Sequence, residues 1–262
     1  MKKPIAQITF LNFLEEKAGE LKQFTGQLRK RADADIVHQV RVSVKRWKMT
    51  ARLLDELYHI PWKSDFKLTA KLFRICGDQR NLEQSIQICQ HQGFYAKGMD
   101  QFFHRELIKA KRFTRSAIKE YDISGVFNYL DRVKIFFSGC HPLPQSKTLQ
   151  KAEDKLLKKA AGLFQQKPRP LHKIRKRLKD LLFLCEFTQH AQGKLRKLNK
   201  HLDLLGKIQD LVVLEEFVEQ GLSKGVITQN DGRKLSKRIT SRRKRLVKRS
   251  ENQLAAFLFP DK

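Results

Sequence analysis

Acidic residues are scarce in this sequence: 27 Asp and Glu stand against 55 Lys and Arg, a net charge of +28 over 262 residues. That imbalance is silent about fold, but it points to a polyanionic partner such as nucleic acid, an anionic membrane or polyphosphate. No acidic cluster recurs that could gather Mg²⁺ around a phosphate, so a phosphohydrolase is not expected. Cysteine is equally sparse. Cys76, Cys89, Cys140 and Cys185 form no C-x-x-C pair and no disulfide framework, which fits a reducing, cytoplasmic setting. No run approaches the ~18 apolar residues that a membrane span requires. Glu15 and Glu16 arrive before a signal-peptide core of adequate length. Strand-period alternation is absent over any useful length, and so is a Gly-rich loop following a strand.

What is present is a core-forming fraction, 40% hydrophobic and 9% aromatic, enough to exclude disorder as the reason for the charge. The most informative stretch is Val37 to Leu54, V-H-Q-V-R-V-S-V-K-R-W-K-M-T-A-R-L-L. Read as a helix, it places Val40, Val44, Trp47 and Ala51 on one apolar seam. His38, Arg41, Lys45, Lys48 and Arg52 fall on an adjacent stripe within an arc of roughly 80°. Like charges at i,i+3 and i,i+4 repel by about 0.2–0.5 kcal/mol per pair, so a stripe of them beside the core seam suggests an anion to offset the repulsion.

The pattern returns at Leu171 to Phe187, L-H-K-I-R-K-R-L-K-D-L-L-F-L-C-E-F. With His172 placed on His38, Arg175 falls on Arg41 and Lys179 on Lys45, while Ile174, Leu178, Leu181 and Cys185 reproduce the seam. His172 lies 134 residues beyond His38, and Gly206 lies 129 beyond Gly77. Two landmarks in the same order at nearly one separation indicate an internal duplication.

H-x-x-R-V-x-x-[RK]-R-x-[RK] from His38, the second H-x-x-R-x-x-x-K from His172, and the glycine that follows each resemble the CHAD domain, the conserved histidine α-helical domain. The resemblance covers most of the chain. It implies an all-α fold of two pseudo-symmetric four-helix bundles packed around a basic central groove, and binding of inorganic polyphosphate without catalysis. The chain departs from the family pattern at Leu182 and Phe183, where Arg then Tyr is usual, and at Lys45 and Lys48, where Arg is frequent. Lys keeps the charge but loses the bidentate geometry of Arg.

In chain order, periodicity predicts an opening helix over 5–31 and an N-cap at Asp33 or Asp35 for the key helix, which should stop before Pro61. A third helix, Trp62 to Cys76, carries Lys67, Lys71 and Arg74, and Gly77 should break or bend it, with a short helix following over 81–91. Arg196 and Lys200 are the second-half counterparts of Lys67 and Lys71. Basic helices follow over 98–119, 147–165 and 228–258, eight or so helices in all. The connection G139-C-H-P-L-P-Q-S is the expected junction between repeats of about 1–140 and 141–262 in a single domain.

Three functional readings compete. Cations laddered on helices at i, i+3/i+4 and i+7 suit polyphosphate, a flexible polyanion without bases, because no hydrogen-bond code has to be read. His38, Arg41, Lys45, Lys48, Arg52, Lys67, Lys71 and Arg74 from one half, with His172, Arg175, Lys176, Lys179, Arg196 and Lys200 from the other, are the expected ligand contacts. Granules of the polymer are then one candidate location. The alternative is an RNA- or DNA-binding protein using Arg105–Arg115 and Arg242–Arg249. Single-strand binders interleave aromatic platforms with their cations, and Trp47 and most Phe residues read instead as core. An enzyme is the third and least supported reading, since no nucleophile recurs with the histidines. His38 and His172 also lack Cys, Asp or Glu partners at ligand spacing, so no metal or cofactor is expected. Each could hydrogen-bond a phosphate oxygen, or fix a helix start.

Overall fold

The helical periodicities are realised as nine α-helices among the described residues of a computed structural model, which describes residues 5–94, 96–139, 146–187 and 192–259. In order these are α1 (Ile5–Lys30), α2 (Ala34–Tyr58), α3 (Lys67–Gln92), α4 (Met99–Glu120), α5 (Ser124–Ser138), α6 (Ser146–Gln165), α7 (Leu171–Phe187), α8 (Gln192–Ser223) and α9 (Gln229–Leu258). No strand occurs among the described residues, and the fold is all-α.

Two sequence expectations need correction. Gly77 does not end a helix, because α3 runs through it without interruption, as α8 runs through Gly206. An internal glycine costs about 1 kcal/mol of helix propensity, too little to break a helix anchored by tertiary packing. The helix also starts at Lys67 rather than Trp62, whose ring instead packs edge-on against Phe66 at 5.5 Å. Periodicity named no element over α5, a segment whose apolar residues lie partly on aromatic rings and so give a less regular pattern than an aliphatic seam. Residues 140–145 of the expected junction, Cys140 among them, lie outside the described residues.

Compactness groups Met1–Arg80 with Leu107–Ser146 in one unit, and Asn81–Glu106 with Lys147–Lys262 in the other. In the first unit, the seam Val40, Val44, Trp47 and Ala51 is buried throughout. Trp47 meets the Tyr129 ring of α5 edge-on at 6.5 Å, and the Tyr129 hydroxyl donates to the Ala51 carbonyl at 3.3 Å. Asp33 caps α2, accepting from the Ile36 amide at 3.1 Å. At the other end His59 adopts a left-handed conformation, φ 56°, and Pro61 two residues on cannot continue the helix. Arg132 of α5 fixes the following turn through both Asp65 oxygens, at 2.6 and 3.1 Å, and holds that carboxyl below its ordinary range.

The second unit is built on one continuous cluster. Ala160 and Phe164 of α6, Ile174, Leu178, Leu181 and Cys185 of α7, Leu198, Leu202, Leu205 and Ile208 of α8, and Leu254 of α9 pack together. Leu182, which stands where the family favours a cation, is part of this core. The 81–106 segment joins it through Phe103 and Phe217, ring centroids 5.8 Å apart, and through Gly98. The positive φ of Gly98, 86°, and its seat against the Val226 carbonyl leave no room for a side chain.

Trp47→Ala should lower unfolding free energy by about 3–5 kcal/mol, read from the midpoint of chemical denaturation. Substituting the solvent-facing Lys67 in the same way should leave that midpoint nearly unchanged.

Candidate polyanion-binding site

The two basic stripes inherit their direction from the buried seams beside them. Val40, Val44, Trp47 and Ala51 fix the rotation of α2, so Arg41, Lys45, Lys48 and Arg52 emerge half-buried at the edge of the core. Phe73 of α3 organises three of them. The Arg41 guanidinium lies 4.6 Å from its ring centroid, and the Lys45 and Lys48 ammonium groups lie at 5.6 and 5.9 Å. Each such contact is worth about 0.5–1 kcal/mol, comparable to or larger than the repulsion between neighbouring cations of the stripe. The ring therefore supports the cluster without a bound anion, a role that helical spacing alone did not reveal. Arg41 also donates to the Phe73 carbonyl at 3.1 Å.

Gly77 has a purpose other than bending the helix. A Cβ there would collide with Arg41 Nη1, so its absence makes the seat for the guanidinium. The second unit repeats the device, with Arg175 Nη2 3.3 Å from where a Gly206 Cβ would lie. Arg175 is the more enclosed of the two stripe arginines in its electrostatics: burial lowers its pKa, with Asp210 and Asp203 offsetting part of the effect. Its Nε is buried without a hydrogen-bond partner among the described residues.

The two histidines differ. His38 stays accessible to solvent, yet the partial burial of its ring, followed by the charges of Arg80, Lys45 and Arg41, holds it below the ordinary 6.5, with Asp35 opposing. Arg80, three residues beyond Gly77, thus joins the cluster. His172 Nδ1 instead lies 2.9 Å from Gln209 Oε1, the residue three beyond Gly206. The arginine in one half and the glutamine in the other meet their respective histidines.

The remaining expected contacts are less gathered. Lys67 and Arg74 are exposed on α3, and Lys71 is paired with Glu120 at 3.3 Å. Arg52 reaches the Met49 sulfur at 3.1 Å rather than the Phe73 ring. In the second unit Lys176, Arg196 and Lys200 are exposed and Lys179 half-buried. Among the described residues no group of three His, Cys, Asp or Glu side chains could hold a metal ion, and no helix is long and apolar enough to cross a membrane.

The family model described as CHAD domain matches residues 13–219. The chain belongs to the CHAD domain family. A crystal structure of the CHAD domain from the plant Ricinus communis superposes with a TM-score of 0.73 at 13% identity, covering 98% of this chain and 92% of that one. At that identity the likeness speaks for the CHAD fold alone. None of the curated proteins matches this sequence.

The charge field around His38 is measurable. Its imidazole should titrate below 6.5 in a histidine-resolved NMR experiment, and Arg80→Gln should move the midpoint upward by removing the largest of its charged neighbours. Because the folded-state pKa is depressed, the associated stability is intact above 6.5 and is lost as pH falls through the lowered value. An unchanged midpoint in Arg80→Gln would take Arg80 out of the cluster.

Proposed function

We propose that this CHAD-family chain is a non-enzymatic binder of inorganic polyphosphate. The supporting observation is the concentration of Arg41, Lys45, Lys48 and Arg80 around Phe73 and an accessible, electrostatically disfavoured His38. Arg175 on its glycine seat, with His172, Lys176 and Lys179, forms the matching set of the second unit. Lys67, Lys71, Arg74, Arg196 and Lys200 extend the two sets, with Arg52 at the end of its stripe.

Such sets suit a polymer that offers phosphate oxygens and nothing else. Arg supplies paired donors and Lys supplies mobile charge, and neighbouring phosphates engage successive turns, so affinity rises with chain length and falls steeply with salt. An arriving polyanion also cancels the field on His38 and favours its protonation. Nucleic acid is the weaker reading. Phe113 is 69% exposed on the basic helix α4, but one ring does not make a row of stacking platforms. A reducing, cytoplasmic location belongs to the proposal, in keeping with the buried free thiols of Cys76, Cys89 and Cys185.

The test is a titration of long-chain polyphosphate at about 150 mM salt, with single-stranded RNA as competitor. Binding should survive excess RNA on a per-phosphate basis, and displacement by RNA at equal phosphate overturns the polyphosphate reading in favour of a general nucleic-acid surface. Arg41→Glu combined with Arg175→Glu should abolish binding while the helical circular dichroism is retained. Gly77→Ala is the finer probe. Alanine gains about 0.5–1 kcal/mol of helix propensity over glycine while pushing away the mobile end of Arg41, so thermal stability should hold or rise as affinity drops. Unchanged affinity in both variants would place the polymer elsewhere.

A further inference from the structure

The segment matched by the family model ends at residue 219, before α9 begins, and α9 closes one wall of a cleft of about 580 Å³ in the second unit. The start of α7 and the middle of α8 form the rest. The geometry points to this cleft as a separate site for a compact organic polyphosphate, of which a nucleoside triphosphate is the chemical type.

Its charged lining divides into fixed and available groups. Arg169 is held by Glu251 at 2.8 Å and by the Phe164 carbonyl at 3.0 Å, with its guanidinium 4.6 Å from the Phe164 ring centroid. Arg243 is paired with Glu215 at 3.3 Å. Lys244 and Lys248, one turn apart on α9, line the cleft and make no ion pair among the described residues. Their mutual repulsion at i,i+4 remains unoffset. His172 has Nδ1 engaged by Gln209, which leaves Nε2 for a ligand. The first turn of α7 adds amide groups without intrahelical acceptors and the positive end of a helix dipole. Four cations against the single carboxylate of Glu251 make a strongly anion-selective rim.

The floor has a different chemistry. Leu171, Ile208, Val212 and Val247 present aliphatic surface beneath the cationic rim. A chain of bare phosphates makes no use of such a floor, whereas a base and sugar would lie on it. The volume lies within the range of about 300–1,000 Å³ typical of small-molecule sites. Phosphates on Lys244, Lys248 and His172, with the nucleoside over the aliphatic patch, use both halves of the lining.

The test titrates a nucleoside triphosphate, inorganic tripolyphosphate and the free nucleoside against the full chain, in Mg²⁺-free buffer, by calorimetry. One saturable site is expected, with the nucleoside triphosphate binding about tenfold tighter than tripolyphosphate and the nucleoside undetectable. K244E combined with K248E should weaken the nucleoside triphosphate by at least about tenfold, with helical content and long-chain polyphosphate binding retained. Equal affinity for tripolyphosphate, no saturable binding, or an unaffected double variant each overturns the assignment. The two proposals fail separately, because Arg41→Glu with Arg175→Glu removes the polymer and leaves the nucleoside triphosphate bound.

Discussion

Everything in this protein depends on two helices whose apolar seams are wholly buried. Val40, Val44, Trp47 and Ala51 in α2, and Ile174, Leu178, Leu181 and Cys185 in α7, are at most 1% exposed. A helix with one stripe sunk so completely has no freedom to turn about its axis, since rotation by a fraction of a turn would expose aliphatic and indole surface worth several kcal/mol, at roughly 25 cal/mol per Å². The cations next to each seam are thereby aimed without being individually anchored. Hydrophobic burial, which knows nothing of charge, decides where the charge points.

Around that constraint the protein manages the cost of crowding like charges. Phe73 offers its ring face to three cations at once, and the guanidiniums of Arg41 and Arg175 are laid over glycines that leave them space. The stripe is not simply screened by carboxylates, because few are available. Lys71 with Glu120 and Arg243 with Glu215 are local exceptions, and both lie away from the seam helices. The outcome is a surface that keeps its field. His38 registers that field directly through the neighbouring Arg80, Lys45 and Arg41.

Fold persistence at 13% identity to the plant CHAD domain follows from the same physics. Helical periodicity and total core volume specify such a bundle far more than side-chain identity does, and cores accept volume-conserving exchange. Leu182 illustrates the tolerance, since a position where the family favours a cation has been taken into the core of the second unit. The halves have diverged in charge while each keeps an arginine seated on a glycine.

The sequence by itself determined the helical class, the two seams, the cations beside them, and the pairing of one half with the other, because all of these are periodic and periodicity is local. It also contained Asp33 as the cap of α2, a signal confined to three residues. Tertiary structure alone decided the rest. Gly77 reads in one dimension as a breaker, and only the approach of Arg41 from a different helix shows it to be a seat. Phe73 reads as one more core aromatic until three cations from α2 converge on it. The meeting of Arg80 with His38, and of Gln209 with His172, joins residues some forty positions apart, beyond the reach of any helical repeat. The cationic cleft beneath α9 likewise depends on the angle at which the last helix returns to α7 and α8, and that angle is set by packing among side chains that no linear pattern brings together.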